Sequence, residues 1–143
     1  MTRVLLMILV LFISVPAHAR NTQHMMSYKD AMSTEDAKLK LADNIKFYFG
    51  DQKHPAVARK IGTWVANKKT NALNKSDERA CQWAFLSAML SLQQRAVREG
   101  GNAVINIQSY YKKNVRNSAT KFECGAGAFV AGVALRGTVV KLK

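Results

Sequence analysis

The sequence predicts an α+β fold: an antiparallel sheet of roughly four to five strands packed on one long helix, with a short helix ahead of it. Three observations carry that expectation. Cys81, Phe85, Ala88, Leu92 and Ala96 repeat at helical spacing through a long, well-capped segment. Several short stretches alternate apolar and polar residues with a period of two, as half-buried strands do. The order of these segments is strand, strand, long helix, then three strands. That order lacks the regular strand-helix alternation of a parallel α/β protein.

Residues 20–32 are polar, with scattered methionines and no steady period, and predict a flexible start to the mature chain. The single α+β domain is expected over residues 33–143. Ser33-Thr34-Glu35-Asp36 reads as a helix start, with Ser33 as the cap and acids in the first turn where the helix dipole favours them, and the short helix runs to about Asp43. Ile45, Phe47 and Phe49 then alternate with Lys46 and Tyr48 up to a turn at Gly50-Asp51, which gives the first strand. A second fits Ile61 to Asn67, with Trp64 on the face opposite Ile61, Thr63 and Val65. The long helix is expected from Asp77 to Glu99. Ser76 caps it, and Gly100-Gly101 supplies a left-handed stop. At 1.5 Å per residue it would be roughly 34 Å long, enough to cover a small sheet. Ala103, Ile105 and Ile107 alternate with Val104, Asn106 and Gln108. Tyr110 to Asn117 reads as an exposed hairpin connection, and Thr120 to Cys124 returns as a strand. The tail from Ala126 to Leu142 ends in alternation through Val133, Leu135 and Val139. Its glycines Gly125, Gly127, Gly132 and Gly137 suggest bulges or close backbone approach.

With 143 residues, the chain has room for one sizeable core and excludes a multidomain enzyme. Its 48% hydrophobic content argues against intrinsic disorder. Residues 1–19 read as a secretory signal peptide. Arg3 supplies the positive start, Val4 to Val15 the apolar run, and Ala17-His18-Ala19 the cleavage site, with the cut after Ala19. The apolar run falls well short of the roughly 20 residues a membrane span needs, so the expected protein is periplasmic and not membrane-spanning. Processing removes one of the 22 basic residues, against nine acidic ones, and the net charge drops from +13 to +12. In an oxidising compartment Cys81 and Cys124 become a candidate disulfide, because each falls on the apolar face of its element; two buried free thiols are the alternative.

Several strings carry a family resemblance: Asn67-Lys68-Lys69-Thr70-Asn71-Ala72, Lys75-Ser76-Asp77-Glu78, Ala80-Cys81, Ala84-Phe85-Leu86-Ser87, Gly100-Gly101-Asn102-Ala103-Val104-Ile105-Asn106-Ile107, and the segment from Cys124-Gly125-Ala126-Gly127 to Ala131-Gly132-Val133-Ala134-Leu135. From about Ile45 onward the chain resembles a family of small exported proteins of Gram-negative bacteria whose members are often labelled "excinuclease ATPase subunit". The helix followed by Gly-Gly-Asn-Ala-Val and a strand is similar, more weakly, to YbjQ-like proteins and to the signalling domain of the Rcs outer-membrane stress sensor. The ATPase label does not agree with the residues. A repair ATPase needs a glycine-rich phosphate loop followed by Lys and Ser or Thr, and none occurs here. The DNA-repair reading is rejected.

Catalysis is not expected: His24 and His54 are the only histidines of the mature chain, and neither accompanies a nucleophile motif. His24, Met25 and Met26 are weak candidates for a soft metal site, since imidazole and thioether donors suit Cu(I). No cofactor is expected. The most substantial functional feature is a set of cations in or near loops, Lys68, Lys69, Lys75, Lys112, Lys113, Arg116 and Lys121, with Tyr110 and Tyr111 beside them. Basic groups next to aromatics bind phosphate-bearing polymers through charge and stacking. In the envelope the available partners are anionic lipid, lipopolysaccharide or an envelope protein, and no base-reading motif points to specific nucleic-acid recognition. A merely solubilising cationic face is the competing account. The sequence therefore points to a non-enzymatic, basic, disulfide-stabilised envelope binding or interaction domain. The alternative is an accessory or sensor protein in envelope stress.

Overall fold

The computed structural model describes residues 19–143, so the signal peptide expected over residues 1–19 lies, apart from Ala19, outside the described residues. In chain order the elements are β1 (Thr22–Ser27), α1 (Tyr28–Met32), α2 (Glu35–Lys40), β2 (Lys46–Phe49), β3 (Val57–Asn71), α3 (Asp77–Arg98), β4 (Ala103–Ser109), β5 (Lys121–Ala126) and β6 (Val130–Leu142). The fold is broadly α+β. A six-stranded curled sheet packs against α3, the one long helix.

The long helix forms where the sequence places it. The Ser76 hydroxyl accepts from Arg79 N at 3.1 Å, and Gly100 takes φ +76° to end the helix. Cys81, Phe85, Ala88, Leu92 and Ala96 are all buried on its sheet-facing side. Phe85 stacks on Phe122 of β5 with ring centroids 4.5 Å apart, and Tyr28 stacks on Phe49 at 3.9 Å. Each such fully buried aromatic contributes on the order of 1.5–3 kcal/mol of apolar burial. A disulfide joins Cys81 of α3 to Cys124 of β5, with their Cα atoms 5.9 Å apart. It ties the helix to the sheet through the same core.

β6 organises the sheet. One edge pairs antiparallel with β3 from Val57↔Leu142 to Asn71↔Val130, and the other is shared between β5, at Gly125↔Gly132 and Ala126↔Ala131, and β4, from Ala103↔Val140 to Ser109↔Leu135. Residues of β6 therefore alternate between α3 and the opposite, open face. Ala131, Val133, Leu135 and Val139 enter the helix-side core, whereas Val140 and Leu142 form a small second cluster with Ala103.

Four expectations need correction. The sheet is mixed: β2 runs parallel to β4, because the intervening β3 and α3 provide the long crossover a parallel pair requires. Residues 20–32 are not a loose start. Thr22–Ser27 pairs along the whole of β5, and Tyr28 at the head of α1 is only 2% exposed. The cap of the short helix is Thr34, which accepts from Ala37 N, while Ser33 closes α1. Finally, β4 does not hold one alternation. Asn106 adopts φ +51°, and the resulting bulge turns Val104 and Ile107 toward the helix while Ala103 and Ile105 join the second cluster.

Candidate functional site

The glycines flagged in the tail build a floor. Gly125 of β5 and Gly132 of β6 are direct register partners on the open face, so two adjacent strands present bare backbone there. The Tyr111 ring occupies that space. A methyl group added at Gly125 would overlap the Tyr111 hydroxyl, and one added at Gly132 would meet Tyr111 Cε2 at 3.8 Å. Around this seat runs an open groove of about 480 Å³, whose lining includes Asn67 and Lys69 of β3, Tyr111 and Lys112 of the β4–β5 connection, and Phe129 and Val130 from the turn into β6. Ala19, Arg20 and Asn21 complete its rim.

Two lysines supply the free charge. Lys69 projects from the register position opposite Gly132, and Lys112 Nζ lies 5.6 Å from the centre of the Tyr111 ring. Lys112 and Lys113 occupy successive left-handed positions, at φ +50° and +63°, which suit glycine or asparagine far better than lysine. Phe129 ends the groove with 68% of its surface exposed. The arrangement places cations, an aromatic platform and an apolar tip within one concavity, a combination suited to an anionic group carried on an apolar body.

The third cation of the rim is already spent. Arg20 makes a two-point contact with Asp77, Nη1 to Oδ2 at 2.9 Å and Nη2 to Oδ1 at 3.0 Å, and its Nη2 also donates to Gly127 O at 3.0 Å. His24 Nε2 reaches the same Asp77 Oδ2 at 2.8 Å. The Arg20 guanidinium, followed by His24, holds the Asp77 carboxyl well below the usual carboxylate range. The cluster fastens the start of β1 to the first turn of α3.

The other sequence-derived candidates scatter. Lys68 pairs in register with Val133, which faces α3, so alternation sets Lys68 and Lys69 on opposite faces of the sheet. Lys75 lies ahead of α3 with its Nζ donating to Asn71 O at 2.9 Å. Tyr110 carries the Arg136 guanidinium 5.6 Å from its ring centre. Arg116 Nε sits 3.1 Å from Oε2 of Glu123, whose side chain is 5% exposed, at ion-pair distance but without hydrogen-bond geometry. Lys113 and Lys121 are exposed and, among the described residues, form no ion pair. The nine residues thus resolve into a groove trio, Lys69, Tyr111 and Lys112, and six residues outside it.

His24, Met25 and Met26 do not converge as a donor set. Their register partners Cys124, Glu123 and Phe122 alternate in face, so Met25 points away from the other two, and Asp77 occupies the His24 imidazole. Among the described residues no hydroxyl or thiol is hydrogen-bonded to that ring. Sequence reading missed Arg20, Asn67, Phe129 and Val130 as groove residues, because their meeting depends on strand pairing across more than half the chain.

No family model, curated protein or solved structure matches this chain.

Proposed function

We propose that the protein is a non-enzymatic, exported binding domain that docks on anionic lipid surfaces of the envelope through the groove over Gly125 and Gly132. The observation that supports this reading most directly is the grouping of uncommitted Lys69 and Lys112 with the 68%-exposed Phe129 around one concavity. Each cation held at an anionic lipid surface contributes about 1 kcal/mol. The phenyl ring adds an apolar term that salt does not screen, as in interfacially bound proteins. A purely solubilising cationic face would not need an exposed aromatic among its lysines, nor a lysine at the left-handed position of Lys112.

Vesicle flotation tests the reading. Binding should be strong on phosphatidylglycerol-containing vesicles and weak on phosphatidylcholine alone. Added salt should remove most of it and leave a residue that depends on Phe129. Replacing Lys69 and Lys112 together with Ser should abolish the salt-sensitive part, F129S the salt-resistant part, and K121S should change little. Equal binding to both lipids, or unchanged binding by the two groove variants, would overturn the assignment.

A further inference from the structure

We propose that processing builds this site, because cleavage after Ala19 places a new α-ammonium group, that of Arg20, on the rim of the groove. The inference rests on the lipid-surface reading above and on export with cleavage at that bond. The argument begins with an apparent waste. Arg20 lies in a groove suited to anions, yet Asp77 neutralises its guanidinium and Gly127 O takes a further bond. Its side chain cannot serve an anionic ligand in that state. What the three bonds accomplish is to fix the backbone of residue 20, and the neighbouring chain is shaped to receive it. A methyl at Gly127 would come within 2.9 Å of Arg20 O.

The backbone nitrogen that the clamp holds belongs to the peptide between Ala19 and Arg20, two residues that both line the groove. While that peptide is intact, its nitrogen is a neutral amide. Once it is cleaved, the same atom is an ammonium with an ordinary pKa near 7.7–8.0, largely charged at neutral pH. It joins Lys69 and Lys112 without the conformational freedom of a lysine side chain. Asp77 is therefore a positioning residue. It lies outside the groove and acts through Arg20.

The test compares the chain beginning at Arg20 with a free amine, the same chain acetylated at that amine, and D77N with a free amine. Each is measured for partition onto vesicles of phosphatidylglycerol in phosphatidylcholine and for binding of soluble glycerol phosphate. Acetylation should weaken vesicle binding about fivefold, the equivalent of one surface charge. D77N gives the opposite of a simple charge effect: it raises the net charge by one, so general electrostatics would tighten binding, whereas loss of the clamp should weaken it. Circular dichroism and a melting curve would show that the variant is folded. Equal binding by the free and acetylated chains overturns the inference but leaves the lipid reading standing, as would tighter binding by D77N for the positioning role. If none of the three forms binds either probe, the lipid reading itself falls. Glycerol phosphate binding without vesicle binding would likewise reject a membrane surface in favour of a soluble phosphate ligand.

Discussion

Replacing Lys113 with glycine should make the protein more stable while leaving its core untouched. Lys113 is exposed and sits at φ +63°, immediately after Lys112 at φ +50°. A left-handed conformation costs a residue with a Cβ roughly 1–2 kcal/mol. Glycine removes that cost but gains freedom in the unfolded chain worth about 0.4–1 kcal/mol, so K113G should come out ahead by roughly 0.5–1 kcal/mol. For a domain of this length that corresponds to about 2–4 °C in melting temperature. K112G is the built-in comparison. It relieves the same strain but loses the Lys112 contact with the Tyr111 ring, about 0.5–1 kcal/mol at an exposed site, and should be close to neutral. Urea unfolding with the disulfide intact, analysed for midpoint at constant slope, measures both differences. The reasoning fails if K113G is no more stable than the parent, or if K112G gains as much as K113G. K112G should also weaken vesicle binding despite its unchanged fold, which would identify residue 112 as a position kept strained for its lysine.

Further outcomes follow from the core and from the β1–α3 fastening. Removing the disulfide by C81A/C124A should cost about 4 kcal/mol in the chain-entropy account for a separation of 43 residues, visible as a lower urea midpoint against the oxidised parent. G137A should cost about 1–3 kcal/mol through overpacking, because its methyl would come within 2.6 Å of Val104 Cγ1 and 3.5 Å of Leu92 Cδ1; a stability equal to the parent would show that this layer has slack. Asp77, held below the ordinary carboxylate pKa by Arg20 and His24, contributes stability that is fully present above about pH 4 and is lost as pH falls below it. The stability of D77N should therefore fall less steeply than the parent's between pH 4 and the acid limit of folding, and parallel acid profiles would refute the linkage.

How much of this was legible in the sequence depended on the range of the interactions that decide each feature. α3 could be read nearly to the residue because its cap, period and glycine stop lie within its own segment. The Cys81–Cys124 pairing followed from two local faces and one compartment argument. β3 was expected only from Ile61 to Asn67 but runs over Val57–Asn71. Its ends carry Ala58, Arg59, Lys60, Lys68, Lys69 and Asn71, poor strand formers held extended by backbone pairing with β6. A register shift between Lys60 and Gly62 also lets both Ile61 and Trp64 pack against the core, which a single uninterrupted alternation forbids. β1 was missed because its strand identity comes from β5, a hundred residues away. The direction of β2 was hidden for another reason. A period of two states which residues face the core and is silent on parallel against antiparallel pairing. At the groove, close approach at the tail glycines and cations beside aromatics are both legible in the chain itself. Only pairing brings Gly125 beside Gly132 to make the seat for Tyr111, and Lys68 parts from Lys69 because β3 runs past Asn67 and alternates there.

The central position of the last strand bears on when the chain can fold as it emerges from a ribosome or a translocation pore. β3, β4 and β5 all pair with β6, which follows each of them in chain order. Until β6 is released, β3 lacks its partner strand among the described residues, and the faces of β4 and α3 that meet β6 stay uncovered. A chain that emerges N-terminus first is thus kept open at its centre by its own topology until β6 has emerged. Closure of the centre becomes a late, concerted event, dominated by contacts far apart in sequence and correspondingly slow. Deleting even part of β6 should leave an aggregation-prone chain rather than a smaller domain, because it removes the element on which three others register.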